Sequence, residues 1–163
     1  MLNGYFWLKF IHVGAVFAFL LPHGASGAAS LLLEHRRDLV MRRFLLELSW
    51  KAQSISTPAL FIVLLSGLGL GFWGGWWRYG WIWAALVIFL AVSAGMIYFS
   101  YRFDTARKAA GLDYRAATKV LPAVPPDEEL LAKQIPRLRS RELAVAGVFW
   151  LAVILLLMMF KPF

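Results

Sequence analysis

All three histidines of the chain, His12, His23 and His35, fall in its N-terminal part, and histidine is the side chain best suited to hold a metal or carry a proton near neutral pH. On a helix with 100° and 1.5 Å per residue, His12 and His23 project from nearly the same face at levels about 16 Å apart. They cannot ligate one metal together, but they can serve two levels of one helix bundle. Both lie in an apolar run, where an imidazole is costly unless paired, so each calls for a functional reading. The plainer readings are a ring at the bilayer surface for His12 and interhelical hydrogen bonding for His23, including to the Ala18 carbonyl that Pro22 frees. His35, between Glu34 and Arg36, reads as a solvated residue. Met96 lies in a third apolar run, and Met158 and Met159 lie near the end of a fourth, at the level of His12. A His/Met site for haem or copper is therefore geometrically conceivable, drawn from His12, His23, Met96, Met158 and Met159, with His12 as the metal ligand. Plain packing is the ordinary role of methionine in such runs.

The remaining chemistry is sparse. Ser26, Ser30, Ser66, Ser93, Tyr98 and Ser100 are the other polar candidates in the apolar runs, and each alone is a weak signal. These runs hold no Asp or Glu, and Lys9 sits where it can snorkel outward, which disfavours proton pumps and hydrolases built on an embedded carboxylate. The absence of cysteine excludes disulfides, thiolate metal sites and a Cys nucleophile.

The elements that must position these residues are membrane spans. The chain has 163 residues, 61% hydrophobic and 16% charged, too apolar for an ordinary soluble domain. Four stretches carry almost no charge: Tyr5–Leu33, Ser54–Gly74, Gly80–Tyr101 and Leu143–Phe160. Each matches a hydrocarbon core of about 30 Å as a helix, and the period-2 alternation of a barrel is missing. The expected fold is all-α, a single four-helix membrane domain with loops over 34–53 and 102–142. Lys9, the apolar run from Phe10 to Pro22 and the small residues from Ala25 to Ser30 imitate a cleavable signal, but the run resumes at Leu31–Leu33 and reads as a retained span.

The net charge of +8 is concentrated in those two loops, while only Lys9, Arg78 and Lys161 lie on the other side. The positive-inside rule puts both loops in the cytoplasm and both termini outside, as in a multi-pass protein of a bacterial inner membrane. Anionic lipid headgroups are sufficient partners for such loops, and nucleic acid is not expected.

Within the first span, Pro22 predicts a kink, and the small residues around Gly24, Gly27 and Ala28 predict a packing face. The segment His35–Trp50 mixes Arg and Glu with Leu and Phe, as an amphipathic helix lying in the cytoplasmic interface would. Ser54, Ser56, Thr57 and Pro58 read as the start of the second span, and Gly67, Gly71 and Gly75 at four-residue spacing predict helix contact near its end. The tryptophans between Phe72 and Trp83 read as an interfacial belt. The third span is expected to continue as helix to Leu121, and the proline-rich, acidic stretch after it is expected to be the least ordered part. No heptad array or phosphate-binding glycine loop stands out.

The opening Trp7-Leu8-Lys9-Phe10-Ile11-His12-Val13-Gly14 resembles the start of a group of bacterial four-helix membrane proteins. The group includes the copper-resistance D-like domain, the membrane protoporphyrinogen oxidase and related predicted membrane proteins of unknown function. The resemblance covers only part of the first span. It implies an axial haem ligand at His12. No histidine lies in the later spans, so a haem b here needs Met, Tyr or water opposite His12, or a histidine from a second subunit. The leading expectation is a histidine-centred intramembrane site binding haem b or a metal for redox chemistry or haem and metal handling. The alternatives are a non-catalytic subunit or scaffold packing against itself or a membrane-protein partner, and a small oligomeric transporter.

Overall fold

A computed structural model describes residues 4–117 and 119–162 of the chain. Its described residues form five α-helices and one small hairpin, and four of the helical stretches are long and apolar enough to cross a membrane. Helix α1 covers Gly4–His35 and α2 covers Leu39–Gly74. A short 3-10 turn, Trp76–Arg78, leads into α3, Gly80–Ala109. Strands β1 (Tyr114–Ala116) and β2 (Lys119–Leu121) pair antiparallel, with Arg115 opposite Val120. Helix α4 (Glu128–Gln134) and a 3-10 turn (Ile135–Leu138) precede α5, Ser140–Phe160.

The helices form two antiparallel pairs. Helix α1 lies along α2, and α3 lies less closely along α5, while the two pairs touch each other only thinly. The α1–α2 seam is built from small residues. On α2, Leu45, Ser49, Ala52, Ser56, Ala59, Ser66 and Leu70 are buried, with half-buried Val63 between Ala59 and Ser66. Their steps alternate four and three residues, the spacing of knobs-into-holes packing, although serine and alanine hide it from a hydrophobicity pattern. From α1, Ala15, Ala29, Ser30 and Leu33 are buried. The Ser26 and Ser49 hydroxyls bond to each other across the seam at 2.7 Å.

The interfacial helix expected over His35–Trp50 is instead, from Leu39 onward, the first part of α2. The Asp38 carboxylate caps it, accepting from the Met41 N–H at 2.9 Å, and no Gly or Pro interrupts the chain before Pro58. Ser54, Ser56 and Thr57 therefore do not start a helix. Their hydroxyls donate back to the carbonyls of Lys51 and Gln53 in the turn before Pro58, which lets the helix run through a proline. At 36 residues α2 rises about 54 Å, more than a hydrocarbon core of about 30 Å requires.

The basic end carries a compact layer where the sequence suggested the least ordered part of the chain. Helix α3 stops at Ala109 rather than continuing to Leu121, because Gly111 turns the chain at φ +72° and Arg43 Nε donates to the Ala110 carbonyl at 2.7 Å. A Cβ at Gly111 would lie 2.7 Å from the Arg43 guanidinium and 3.0 Å from the Val124 carbonyl oxygen, so the position requires glycine. The following segment folds back over the helices. Asp127 caps α4 by accepting from the Leu130 N–H at 2.8 Å, and its own N–H donates to the Ala109 carbonyl at 2.8 Å. Leu131, Ile135 and Leu138 then join Leu33, Leu45, Leu46, Ala106 and Ala109 in one buried cluster.

The opposite, tryptophan end closes with Gly75 at φ +65°, whose N–H reaches back to the carbonyls of Gly71 and Phe72. Only part of its aromatic cluster faces out. Trp73 and Trp83 are exposed, whereas Trp81 is buried and Trp76 and Trp77 turn inward. Trp83 Nε1 donates to the Trp77 carbonyl at 2.9 Å, and Lys161 lies over the Trp76 ring at 4.5 Å. Between the two ends the outer surface is apolar, with Phe10, Leu21, Phe61, Leu65, Val87 and Val148 exposed.

Truncating Leu131, which is fully buried, removes the anchor of the layer at the basic end. Leu131→Ala is expected to cost about 2–5 kcal/mol. Limited proteolysis should then cut between 122 and 139 while the four long helices keep their circular dichroism signal.

Candidate functional site

The thin packing between the two helix pairs leaves two cavities, one toward each end. They separate the two histidines the sequence had placed on one face. His12 lines the cavity at the tryptophan end, about 280 Å³, and His23 lines the one at the basic end, about 440 Å³.

His12 is set by its neighbour on α2. Its Nδ1 lies 2.9 Å from Ser66 Oγ, and the Ser66 hydroxyl donates to the Ile62 carbonyl at 2.5 Å. A hydroxyl has one proton, and here it is committed to the backbone. Nδ1 must therefore carry the proton and donate to Ser66, which leaves the lone pair on Nε2. Histidine ligands of metals are held in this way, with one ring nitrogen donating to a fixed acceptor and the other free to bind. Gly67 makes the approach possible, since a Cβ there would stand 3.2 Å from His12 Cε1.

The same cavity is lined by Met158, by the side chains of Lys9 and Lys161, and by Trp76 and Trp81. The rest of its wall is almost wholly aliphatic or aromatic. The structure thus brings His12 and Met158 together, as their levels suggested. Met159 is 68% exposed on the outer surface, because adjacent helix positions point about 100° apart, and it is not part of this wall. Met96 belongs to the other cavity and also packs near Gly147.

His23 stacks on Phe19, with ring centroids 4.9 Å apart and planes 22° apart. Its Nδ1 is buried without a hydrogen-bond partner among the described residues, so it does not use the carbonyl that Pro22 frees. Around it stand groups from distant parts of the chain. Arg107, only 3% exposed, donates to Glu47 Oε1 at 2.9 Å, to the Leu46 carbonyl at 3.0 Å and to the Asp113 carbonyl at 2.7 Å. The Trp50 ring meets two guanidinium groups, that of Arg107 at 4.2 Å and that of Arg115 at 4.9 Å from its centroid. Asp104 accepts from the Arg115 N–H at 3.1 Å. His35, by contrast, is exposed and bonds within its own helix to the Leu31 carbonyl at 3.1 Å.

The glycines and small residues divide by position. Gly67 faces His12 and Gly71 faces Ile82 and Trp77, all within the subunit, while Gly75 serves as the cap of α2. On α1 the buried small residues are Ala15, Ala29 and Ser30. Gly24 and Ala28 are exposed, and Gly27 borders the cavity at the basic end with nothing within 4 Å of a Cβ.

Among the described residues no three of His, Asp and Glu converge as a site for a bare metal ion. Comparison of the chain with protein-family models, curated proteins and solved structures finds no match in any of the three. The functional argument therefore rests on the geometry of these two cavities.

A Cβ at Gly71 would lie 2.9 Å from Ile82 Cδ1 and 3.1 Å from the Trp77 ring, so a larger residue forces α2 and α3 apart. Gly71→Leu is expected to cost about 1–3 kcal/mol in thermal unfolding. Light scattering of the detergent-solubilised protein should show its oligomeric state unchanged, because the contact is internal.

Proposed function

We propose that this protein is a multi-pass protein of a bacterial inner membrane that holds haem b at His12, for redox chemistry or haem handling. The observation that carries the reading is the contact of His12 Nδ1 with Ser66 Oγ, itself bonded to the Ile62 carbonyl, at the wall of an apolar cavity shared with Met158. A macrocyclic iron asks for only one or two protein ligands, which suits a chain whose donors do not cluster. Lys9 and Lys161 are the cationic groups of the wall and would meet haem propionates. At about 280 Å³ the cavity falls just under the range of about 300–1,000 Å³ usual for small-molecule sites. A macrocycle would therefore extend into the seam between the helix pairs. When bound, haem supplies a one-electron couple, and the apolar wall would set its potential by excluding water. The resemblance of Trp7–Gly14 to the copper-resistance D-like and protoporphyrinogen-oxidase group points the same way.

The charge distribution supports an orientation with the basic end in the cytoplasm and both termini outside. A second reading, a scaffold, draws on the exposed small residues Gly14, Ala18, Ala25 and Ala28 on α1, where another helix could approach closely, whether from a second copy or a partner membrane protein.

Protein purified from cells supplied with haem precursors is expected to show a Soret band that His12→Ala removes. Ser66→Ala, which takes away the acceptor that fixes the ring, should weaken haem affinity by about 10–100-fold. A colourless preparation that also fails to bind added haemin overturns the haem reading and leaves the scaffold. Orientation is tested separately. Because the chain has no cysteine, single cysteines introduced at Ala123 and Pro162 report their own side, and an impermeant maleimide should label only Pro162→Cys in intact cells with a permeable outer membrane.

A further inference from the structure

We infer that the cavity at the basic end is a binding site for an uncharged amphiphile, a hydrogen-bonding head carried on one apolar chain. The proposal is independent of the haem reading. Two polar groups of the cavity wall are buried and unused: Ser140, 4% exposed, whose Oγ has no hydrogen-bond partner among the described residues, and His23 Nδ1 in the same state. A buried hydroxyl or imidazole nitrogen left without a partner costs about 1–3 kcal/mol, so each favours a polar partner supplied from the cavity its residue lines.

The charges of the wall argue for a neutral head. Arg107 is engaged by Glu47 and by two backbone carbonyls, and it stacks on Trp50. Asp104 holds the Arg115 N–H, and the exposed Arg115 side chain also lies over the Trp50 ring. An anionic head would face the Asp104 carboxylate, and a cationic one would face Arg107. The buried groups of the wall left without any partner, Ser140 Oγ and His23 Nδ1, are uncharged.

The chain has a path of its own. Met96, Phe99 and Leu143 line both this cavity and a groove of about 330 Å³ between α3 and α5, which continues along Gly95, Ala91 and Val87 without a charged residue. From Phe99 to Val87 the groove follows about 18 Å of helix toward the tryptophan end. Polar head and apolar chain thus have adjoining places. An isoprenoid quinone and a monoacylglycerol both present this chemistry.

The full-length protein in detergent, examined by native mass spectrometry with four probes, tests the site. A one-to-one adduct is expected with decylubiquinone or monoolein, and not with dodecyl phosphate or dodecylamine. Decylubiquinone alone would assign the head to a quinone ring and monoolein alone to a glyceride, and either supports the site. Gly27→Leu adds an isobutyl group at the cavity wall, where nothing lies within 4 Å of a Cβ, and should reduce adduct at least about tenfold. Gly24→Leu, equally unobstructed but outside the cavity wall, should leave it unchanged. Ser140→Ala should weaken it by about fivefold, the worth of one hydrogen bond. No adduct with either uncharged probe, stronger binding of a charged one, or an adduct indifferent to Gly27→Leu in a protein that elutes and melts as the parent does would overturn the proposal.

Discussion

Arg107 is the tie on which the arrangement of the two helix pairs depends. The pairs meet thinly along most of their length, yet this side chain, leaving α3 near its end, reaches across to Leu46 and Glu47 on α2 and forward to Asp113. Withdrawing a guanidinium from water is costly, and the cost is offset only when its donors are satisfied together. That condition fixes the relative height of α2 and α3. It also holds the start of the β-hairpin against the helix ends. With α2 and α3 locked there, Leu46 and Ala106 present the surface on which Leu131, Ile135 and Leu138 pack. The layer at the basic end is thus a consequence of one buried charge and its partners.

The four long apolar helices were legible because a run of about 20 residues without charge has few other physical solutions. Their true lengths were not. The segment from Leu39 to Gln53 has the charge content of a surface helix, and nothing in its composition says that Leu45, Leu46 and Ser49 are covered by other elements. Pro58 added a misleading signal, since serine and threonine before a proline resemble a helix start. Here the same hydroxyls bond backbone carbonyls of a continuous helix. The seam between α1 and α2 escaped notice for a related reason. Its period is carried by size, through Ser49, Ala52, Ser56 and Ala59, and not by hydrophobicity. The folding back of 122–139 depends on contacts distant in sequence, above all Asp127 with Ala109, which no local pattern reveals.

Of the candidate site, His12 and Met158 were legible from helix counting alone, because position along a span fixes depth. What counting could not supply was direction. Met159 shares the depth of Met158 but faces outward, and the face of a uniformly apolar helix cannot be read from its sequence. Ser66 was visible only as one of several weak polar residues, and its significance comes from donating its single proton to the Ile62 carbonyl while its oxygen faces His12 Nδ1. Ser140 lay in what read as a loop, and Arg107 in what read as a solvated basic stretch. Both are buried.

The position of the two cavities follows from the unequal packing of the pairs. Small residues draw α1 and α2 together so closely that hydroxyls meet across the seam, and no ligand-sized space remains there. Larger side chains, among them Trp76, Trp77, Phe89 and Phe99, stand where the pairs face each other, and they prop that seam open. Polar groups with unused capacity must then lie on this seam, because elsewhere they would face either a close-packed neighbour or the apolar outer surface. His12 and His23 both satisfy this condition from the same face of α1, one toward each end. A helix that packs tightly on one side therefore turns its chemistry to the other, which is why a chain so poor in polar residues concentrates them along one internal surface.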